Sequence, residues 1–472
     1  MNTKNKLYVD IMCLAEEVTG SCHLCVVKLP NGESIKFIVD CGLFQEIEYS
    51  KYNNDLPFNA NEIAFTLVTH NHIDHIGRLP LLIKQGYNSP IYTTELTEKL
   101  MAPALEDTVG ILGQIGKRNN VSPLYTIEDI QKTLSLVHGV KLCQKIIVNE
   151  NISVNFFDNG HLPGASIILV KISYPREESI FLLFTGDYSN RSAFFDVQSL
   201  PKYVLDLPLT IVQESTYANS LREDIIFTFE DNILKAVKED STVIIPVFSL
   251  GRSQEVMLKI KNMQLEGKLD INIPIYLDGK LSIRYTTIFE KISESFKKSA
   301  RNFIPDNFTF IGKGSRMSLL ENNSKCKIIL TSSGMGSYGP APLYISSYIS
   351  SKNALIQFVG YPAKGTLSRN LKDALKSEFV KIGGLRKQKF CDIEYSTEFS
   401  SHAKLDDISE FLEQFSNIRL LLINHGEYSS KENLAKYALL NLQLKDVAVE
   451  GRSTFYRVGR YGLIKELSTK FM

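Results

Sequence analysis

His70, His72, Asp74 and His75 fall within the six positions of "HNHIDH", in a chain of 472 residues that holds only eight histidines. Imidazoles and carboxylates hold zinc at about 2.0–2.2 Å, and catalytic zinc sites keep one position open for water. Four such groups on one turn can face two adjacent cavities, so an H-x-H-x-D-H run can serve two metal ions. A lone histidine in a loop reads as solvated; three with an aspartate among them do not. His161 in "NGHLPGAS", Asp187 in "FLLFTGD", His425 in "LLLINHG" and Asp40 in "FIVDCG" share one placement, where an apolar run meets a glycine-containing turn. Open α/β and sandwich sheets gather binding groups at such ends.

These placements require strands that end together. "CHLCVVKLPNGESIKFIVDCG" carries an Asn31-Gly32 hairpin signal between two β-rich runs. Residues 63–70 read as a buried strand that ends at the histidines, with Asp74 and His75 opening a helix. "TEKLMAPALEDTVGILGQIG" and "TIEDIQKTLSLVHG" have helical periodicity, and strands return over 141–190. "TVIIPVFSLGRSQEVMLKI", "INIPIYLDG", "CKIILTSSGMGS" and "NALIQFVGY" each give a short apolar strand running into a loop. Helix-like stretches separate them, as in an α/β layer with a mostly parallel sheet. The alternation continues after residue 400, and no repeat or low-complexity linker marks a domain boundary.

Composition narrows the class. With 44% apolar residues, 22% charged and a net charge of +1, the chain has no global field for a polyanion. Nucleic acid would need a local basic groove or metals. No run of eighteen apolar residues and no charged-then-apolar leader occurs, so neither a membrane span nor a secretion signal is expected. Seven scattered cysteines, mostly in strand-like runs, predict a reducing cytoplasm. Strand alternation would put Cys22 and Cys25 on opposite faces, which favours core packing over shared ligation. His23 and His138, the latter at an expected helix end, read as structural.

"IVDCG", "THNHIDHIG", "NGHLPGAS" and "FTGDYS" resemble the successive motifs of the metallo-β-lactamase fold. "IVQESTY", "IIPVFSLGRSQEVM", "TSSGMGSYGP", "VGYPAKGTLSRNL", "FSSHAKLDD" and "NHGE" resemble its β-CASP branch, nucleases acting on RNA and, in some members, DNA. The wording is most similar to the short prokaryotic members, and the resemblance runs in order from about Leu14 to His425. Departures are small: Asn71 replaces a more familiar small or aromatic residue, and "QESTYANS" lacks the glycine that often follows the tyrosine. The resemblance implies an αββα metallo-β-lactamase sandwich, residues 1–215 and 396–472, split by an α/β β-CASP domain at 216–395, with RNA passing through the cleft between them. It implies two zinc ions per chain, the first on His70, His72 and His161, the second on Asp74, His75 and His425, with Asp187 bridging. Asp40 would orient ligands or the bridging water. Glu214 and His402 match the branch's acidic and histidine motifs; His402 would protonate the leaving oxygen while Glu214 holds its ring. The implied catalytic set is Asp74, His402, Glu214 and Asp40. The implied reaction is hydrolysis of single-stranded RNA by metal-activated hydroxide, endo- or 5′-exonucleolytic, leaving 5′-phosphate and 3′-hydroxyl ends in RNA processing or decay.

The run "GMGSYG", residues 334–339, formally fits the dinucleotide fingerprint, but no Asp or Glu occurs between Gly339 and Asp373. Gly334 and Gly336 are instead candidates to offer backbone N–H groups to an RNA phosphate, with a structural turn as the alternative. Arg252, Ser253, Lys364, Arg369 and Ser400 are further candidate RNA contacts, with solvated surface as the alternative; "RKQKF" reads as a solvated face. Expected partners are single-stranded RNA, no membrane, and either a second copy or an RNA-processing protein. The extent of the sequence leads us to expect no KH-type module ahead of it and no RNase J-type domain behind it, leaving substrate selection to the cleft or a partner. A DNA nuclease of the branch is disfavoured by His425, where DNA-repair members typically lack histidine. A small-molecule hydrolase is disfavoured by the inserted domain, and a silent scaffold by the filled ligand positions.

Overall fold

Residues two apart on a strand share a face, and that spacing fills the core of the first compact unit. The computed structural model describes residues 6–16, 18–46, 48–119, 122–321, 326–363, 365–452 and 454–468. It divides into one unit of Met1–Ser192, Asp196–Arg222 and Ser401–Met472, and a second of Ala193–Phe195 and Glu223–Ser400 inserted within it.

Two sheets build the first unit. One has the order Gly462–Ser468, Thr454–Gly459, Tyr8–Cys13, His23–Lys28, Ser34–Val39, Ile63–Leu67, Ile91–Thr94, Val137–Val140. The other runs Val447–Val449, Ile418–Asn424, Leu209–Glu214, Ile180–Phe184, Ser166–Ile172, Ile152–Asp158, Lys145–Ile147. From the first sheet Val9 and Ile11, Val27, Phe37 and Val39, and Phe65 and Leu67 enter one cluster. From the second, Val154 and Phe156, Ile168 and Val170, Leu182 and Phe184, and Leu420 and Leu422 join them. Each such side chain taken out of water contributes about 1.5–3 kcal/mol. The intervening residues of the second sheet, among them Leu169, Leu183, Leu421 and Ile423, face Ile408, Phe411 and Leu434 of two covering helices, Leu405–Leu412 and Tyr428–Leu440. The helix Glu95–Asn119 lies against the strands Ile91–Thr94 and Val137–Val140 of the first sheet. The unit is therefore an αββα sandwich, as expected.

One local expectation fails. "TIEDIQKTLSLVHG" does not stay helical to its end: the helix stops at Ser135, and Val137–Val140 pairs in parallel with Ile91–Thr94. Two β-branched valines and Gly139 weaken the helix there, and the open sheet edge supplies hydrogen bonds it could not. His138 thus sits in a strand, its ring 5.7 Å from that of Tyr92, not at a helix end.

The inserted unit is α/β, with six strands all parallel in the order Phe308–Ile311, Ile275–Asp278, Ile328–Thr331, Thr242–Pro246, Ala354–Phe358, Asp392–Tyr395. Val243, Ile244 and Ile245, like Ile328, Ile329 and Leu330, are all buried, because both faces of such a sheet are covered. A hairpin of Phe379–Ile382 and Leu385–Gln388 packs Val380 and Ile382 into the same core.

Candidate metal centre

Four strands of the first unit end near one point. The strand Ile63–Leu67 delivers His70 and His72, and one helical turn, Ile73–Ile76, presents Asp74 and His75. That turn rests on Gly42: a Cβ there would lie 1.4 Å from the Asp74 carbonyl oxygen, so no larger residue fits. His161 follows Ile152–Asp158, Asp187 follows Ile180–Phe184, and His425 follows Ile418–Asn424. Asn159 ties two of these turns together by donating to the carbonyls of Thr185 (3.0 Å) and Asp187 (2.7 Å). His425 takes φ +46°, which swings its ring out of the line of its strand.

The donors form two sets. In the first, ligand atoms of His70, His72, His161 and Asp187 all lie within 4.8 Å of one another, and in the second those of Asp74, His75 and His425 do. Asp187 reaches both. Its Oδ2 lies 3.4 Å from His70 Nε2 and 3.6 Å from His161 Nε2, and its Oδ1 3.2 Å from His75 Nε2 and 3.3 Å from His425 Nδ1. That Oδ1 is buried and accepts no hydrogen bond, an arrangement that costs about 1–3 kcal/mol unless a cation satisfies it. Nitrogens also crowd one another: His161 Nε2 stands 3.1 Å from His72 Nδ1, and His75 Nε2 3.3 Å from His425 Nε2. Lone pairs that converge in this way fit a divalent metal.

Electrostatics favours the ligand forms. Burial, then the neighbouring His70, holds His72 down to about 3, and burial with His402 nearby holds His161 well below the usual histidine range. Neutral imidazole is the form that binds metal. Asp187 and Asp74 are lowered: burial opposes their charge, but the histidines around them outweigh it. His75 is raised despite burial, because Asp187 and Asp40 flank it. A metal would take the place of that proton.

A second layer fixes the rings. Asp40, at φ +59°, accepts from Thr69 N (2.8 Å), Thr69 Oγ1 (2.7 Å) and His75 Nδ1 (2.8 Å). His161 Nδ1 donates to the Ser401 carbonyl at 2.7 Å, and Thr216 Oγ1 lies 3.1 Å from His425 Nδ1. Beside the first set, His402 Nδ1 donates to Glu214 Oε1 at 3.2 Å, while Glu214 also accepts from Tyr188 N and Thr216 N. His402 Nε2 points toward Asp187 Oδ2, 4.0 Å away. Burial disfavours the His402 cation, but adjacent Glu214 overcomes that and raises its pKa.

All ten residues proposed from the motifs thus stand together. The candidate RNA contacts lie elsewhere, in the inserted unit. Ser253 is buried and its hydroxyl donates to the Phe248 carbonyl, which spends it on the start of its helix. Arg252 donates to the Val359 carbonyl, Arg369 pairs with Asp373 at 2.8 Å, and Ser400 is half-buried. Gly334 and Gly336 occupy a loop after the strand Ile328–Thr331, and Lys364 lies outside the described residues. Gly42, Thr69, Asn159 and Thr216 were missed. Thr69 abuts His70 in "THNH", a position that could have drawn attention; Gly42, Asn159 and Thr216 act through partners remote in sequence.

Three family models match in the order this fold requires. A metallo-beta-lactamase superfamily domain matches residues 29–191, a Beta-Casp domain 253–371, and a Zn-dependent metallo-hydrolase RNA specificity domain 390–447. A protein of Methanocaldococcus jannaschii named probable RNase MJ4 is 30% identical over 439 residues, covering 90% of this chain and 94% of its own length. The chain belongs to the β-CASP metallo-β-lactamase family. Ribonuclease TTHA0252 of Thermus thermophilus is 27% identical across 92% of this chain and 96% of its own. The transcription termination factor FttA of Methanococcus maripaludis is 29% identical over 85% of this chain and 65% of that protein. The family's metallo-hydrolase fold brings divalent-metal binding with it, in agreement with the donor sets.

Proposed function

We propose that this β-CASP protein is a zinc-dependent ribonuclease that hydrolyses single-stranded RNA to 5′-phosphate and 3′-hydroxyl ends. The observation that carries the reading is Asp187, whose two oxygens serve two separate sets of three ligand residues, with the His402–Glu214 pair alongside. Two zinc ions, on His70, His72 and His161 and on Asp74, His75 and His425 with Asp187 between, would lower the pKa of a shared water and stabilise charge on a phosphodiester. The chain's own residues do the rest. Asp40 keeps the Nδ1 proton on His75, so that Nε2 presents its lone pair, and the Ser401 carbonyl does the same for His161. When water adds to phosphorus and the bond to the 3′ oxygen breaks, that oxygen needs a proton. His402 Nε2 supplies it, and Glu214, fixed by two backbone N–H groups, holds the ring and stabilises its charged form.

Names borne by relatives, two of them ribonucleases, and the match to an RNA specificity domain support RNA as substrate. Among the described residues no helix is long and apolar enough to cross a membrane, and the cysteines, none in a disulfide, suit a reducing cytoplasm. The test uses zinc-loaded protein on single-stranded RNA with distinct labels at its two ends, beside Asp74→Ala. Fragments from the wild type alone support the reading; internal fragments mean endonuclease, and mononucleotides from a 5′-phosphorylated end mean exonuclease. A wild type that holds two zinc ions and leaves RNA as intact as the variant does would overturn it.

A further inference from the structure

Parallel α/β sheets bind ligands at the carboxyl ends of their strands, where successive connections leave in opposite directions. In the inserted unit that point is the strand Thr242–Pro246. The chain first goes to one side, to Ile275–Asp278 and Phe308–Ile311, returns to Ile328–Thr331, then crosses to Ala354–Phe358 and Asp392–Tyr395.

The loops at this end interlock. A Cβ on Gly334 would come 2.7 Å from the Phe248 ring, so loop and ring lie against each other. Leu367 N donates to Ser337 Oγ (3.0 Å) and Ser368 N to the Met335 carbonyl (3.1 Å). Thr397 and Ile226 exchange hydrogen bonds, which holds Phe227 beside the end of Asp392–Tyr395. Four of these loop residues are aromatic and face water: Tyr338 is 73% exposed, Phe248 45%, Tyr361 53% and Phe227 67%. Tyr338, Phe248 and Tyr361 follow three strands successive in sheet order, Ile328–Thr331, Thr242–Pro246 and Ala354–Phe358, and the Ile226–Thr397 bonds hold Phe227 beside the next, Asp392–Tyr395.

Exposing four rings along one sheet edge forfeits their burial, which calls for a ligand with faces of its own. Among the described residues of these loops, Arg252 donates to the Val359 carbonyl and faces Glu255 at 3.5 Å, and Arg369 is paired with Asp373. What the described residues of these loops offer is π surface. We propose that Tyr338, Phe248, Tyr361 and Phe227 form a stacking ladder for the unpaired bases of a single-stranded nucleic acid. That the strand is RNA rests on the ribonuclease reading above. Every base has a face to stack, so the ladder tolerates sequence, and it rejects duplexes whose bases are already stacked.

Binding of a fluorescein-labelled oligouridylate to the full chain, followed by anisotropy in chelator so that nothing is cut, tests this directly. Tyr338→Leu and Tyr361→Leu should each weaken binding about five- to a hundredfold, whereas Phe248→Tyr, which keeps a ring, should bind as the wild type does. An abasic strand of the same length should bind weakly and equally to all of them. The salt slope should stay the same in the leucine variants, because no phosphate contact is lost. Leucine variants that melt with the wild type and bind the oligouridylate equally well would overturn the ladder, even if the metal-loaded enzyme cuts RNA. A wild type that never cuts RNA, yet binds single-stranded DNA with the same loss on substitution, would sink the RNA reading and leave the ladder standing.

Discussion

Asp40→Asn changes one atom and should disable half of the metal centre. The aspartate takes three hydrogen bonds: Oδ1 from Thr69 N, Oδ2 from Thr69 Oγ1 and His75 Nδ1. In the variant the amide oxygen keeps the backbone bond, and the NH2 replaces Oδ2. The Thr69 hydroxyl can rotate to accept, but His75 Nδ1–H would face a second donor. The ring escapes by moving its proton to Nε2, the nitrogen that must be bare to bind metal. Asparagine tolerates a left-handed backbone as aspartate does, so φ +59° adds no strain of its own. A hydrogen bond to a charged group contributes about 1.5–3 kcal/mol, which matches the 10–100-fold loss of metal affinity typical when a ligand's supporting carboxylate is removed. Zinc competition against a graded chelator should therefore show one site weakened by about 10–100-fold and the other nearly unchanged. Two sites of wild-type affinity in Asp40→Asn would show that His75 does not take its tautomer from Asp40.

Other perturbations follow the same geometry. Gly42→Ala drives a methyl into the Asp74 carbonyl, and overpacking of this kind costs about 1–3 kcal/mol or more, so both the melting temperature and the zinc content by elemental analysis should fall. His402→Gln leaves all seven ligand residues in place; zinc content should hold while single-turnover cleavage drops about 10²–10⁴-fold, and unchanged cleavage would remove His402 from the chemistry. His23 is buried against Glu450 at 2.9 Å; burial opposes its charge, but Cys13 and Glu450 outweigh it and lift its pKa well above 6.5. A raised folded-state pKa stabilises fully below the unfolded value and stops doing so as pH climbs through the folded one. His23→Gln should thus cost about 3–5 kcal/mol in urea melts at pH 6 and clearly less at alkaline pH; a cost that grows with pH would contradict the pair.

The residues of the two donor sets were legible because they are chemically unusual residues gathered where apolar runs end, and the β-CASP motifs fix their order. What escaped depends on contacts remote in sequence. Gly42 matters only because a turn more than thirty residues later folds over it. His23, read as merely structural, meets Glu450 from the far end of the chain. Val137–Val140 looked helical from its own residues, and the free edge at Ile91–Thr94 decided otherwise. Phe248 and Tyr361 sit in runs that read as apolar strands, and pattern alone cannot tell a core ring from one that faces water.

The sandwich also dictates a timetable. The strand Leu209–Glu214 pairs with Ile418–Asn424, and Tyr8–Cys13 with Thr454–Gly459, so strands made before the insertion wait for partners made after it. Roughly two hundred residues of insertion separate the first pair, about 10–40 s of synthesis at ~5–20 residues per second. The inserted unit, contiguous but for three residues, can fold on the ribosome in that interval while the sandwich stands open. His425 emerges only after the insertion is complete. A nascent chain that has not yet reached His425 therefore holds only Asp74 and His75 of the second donor set, and that set closes only when the sandwich does.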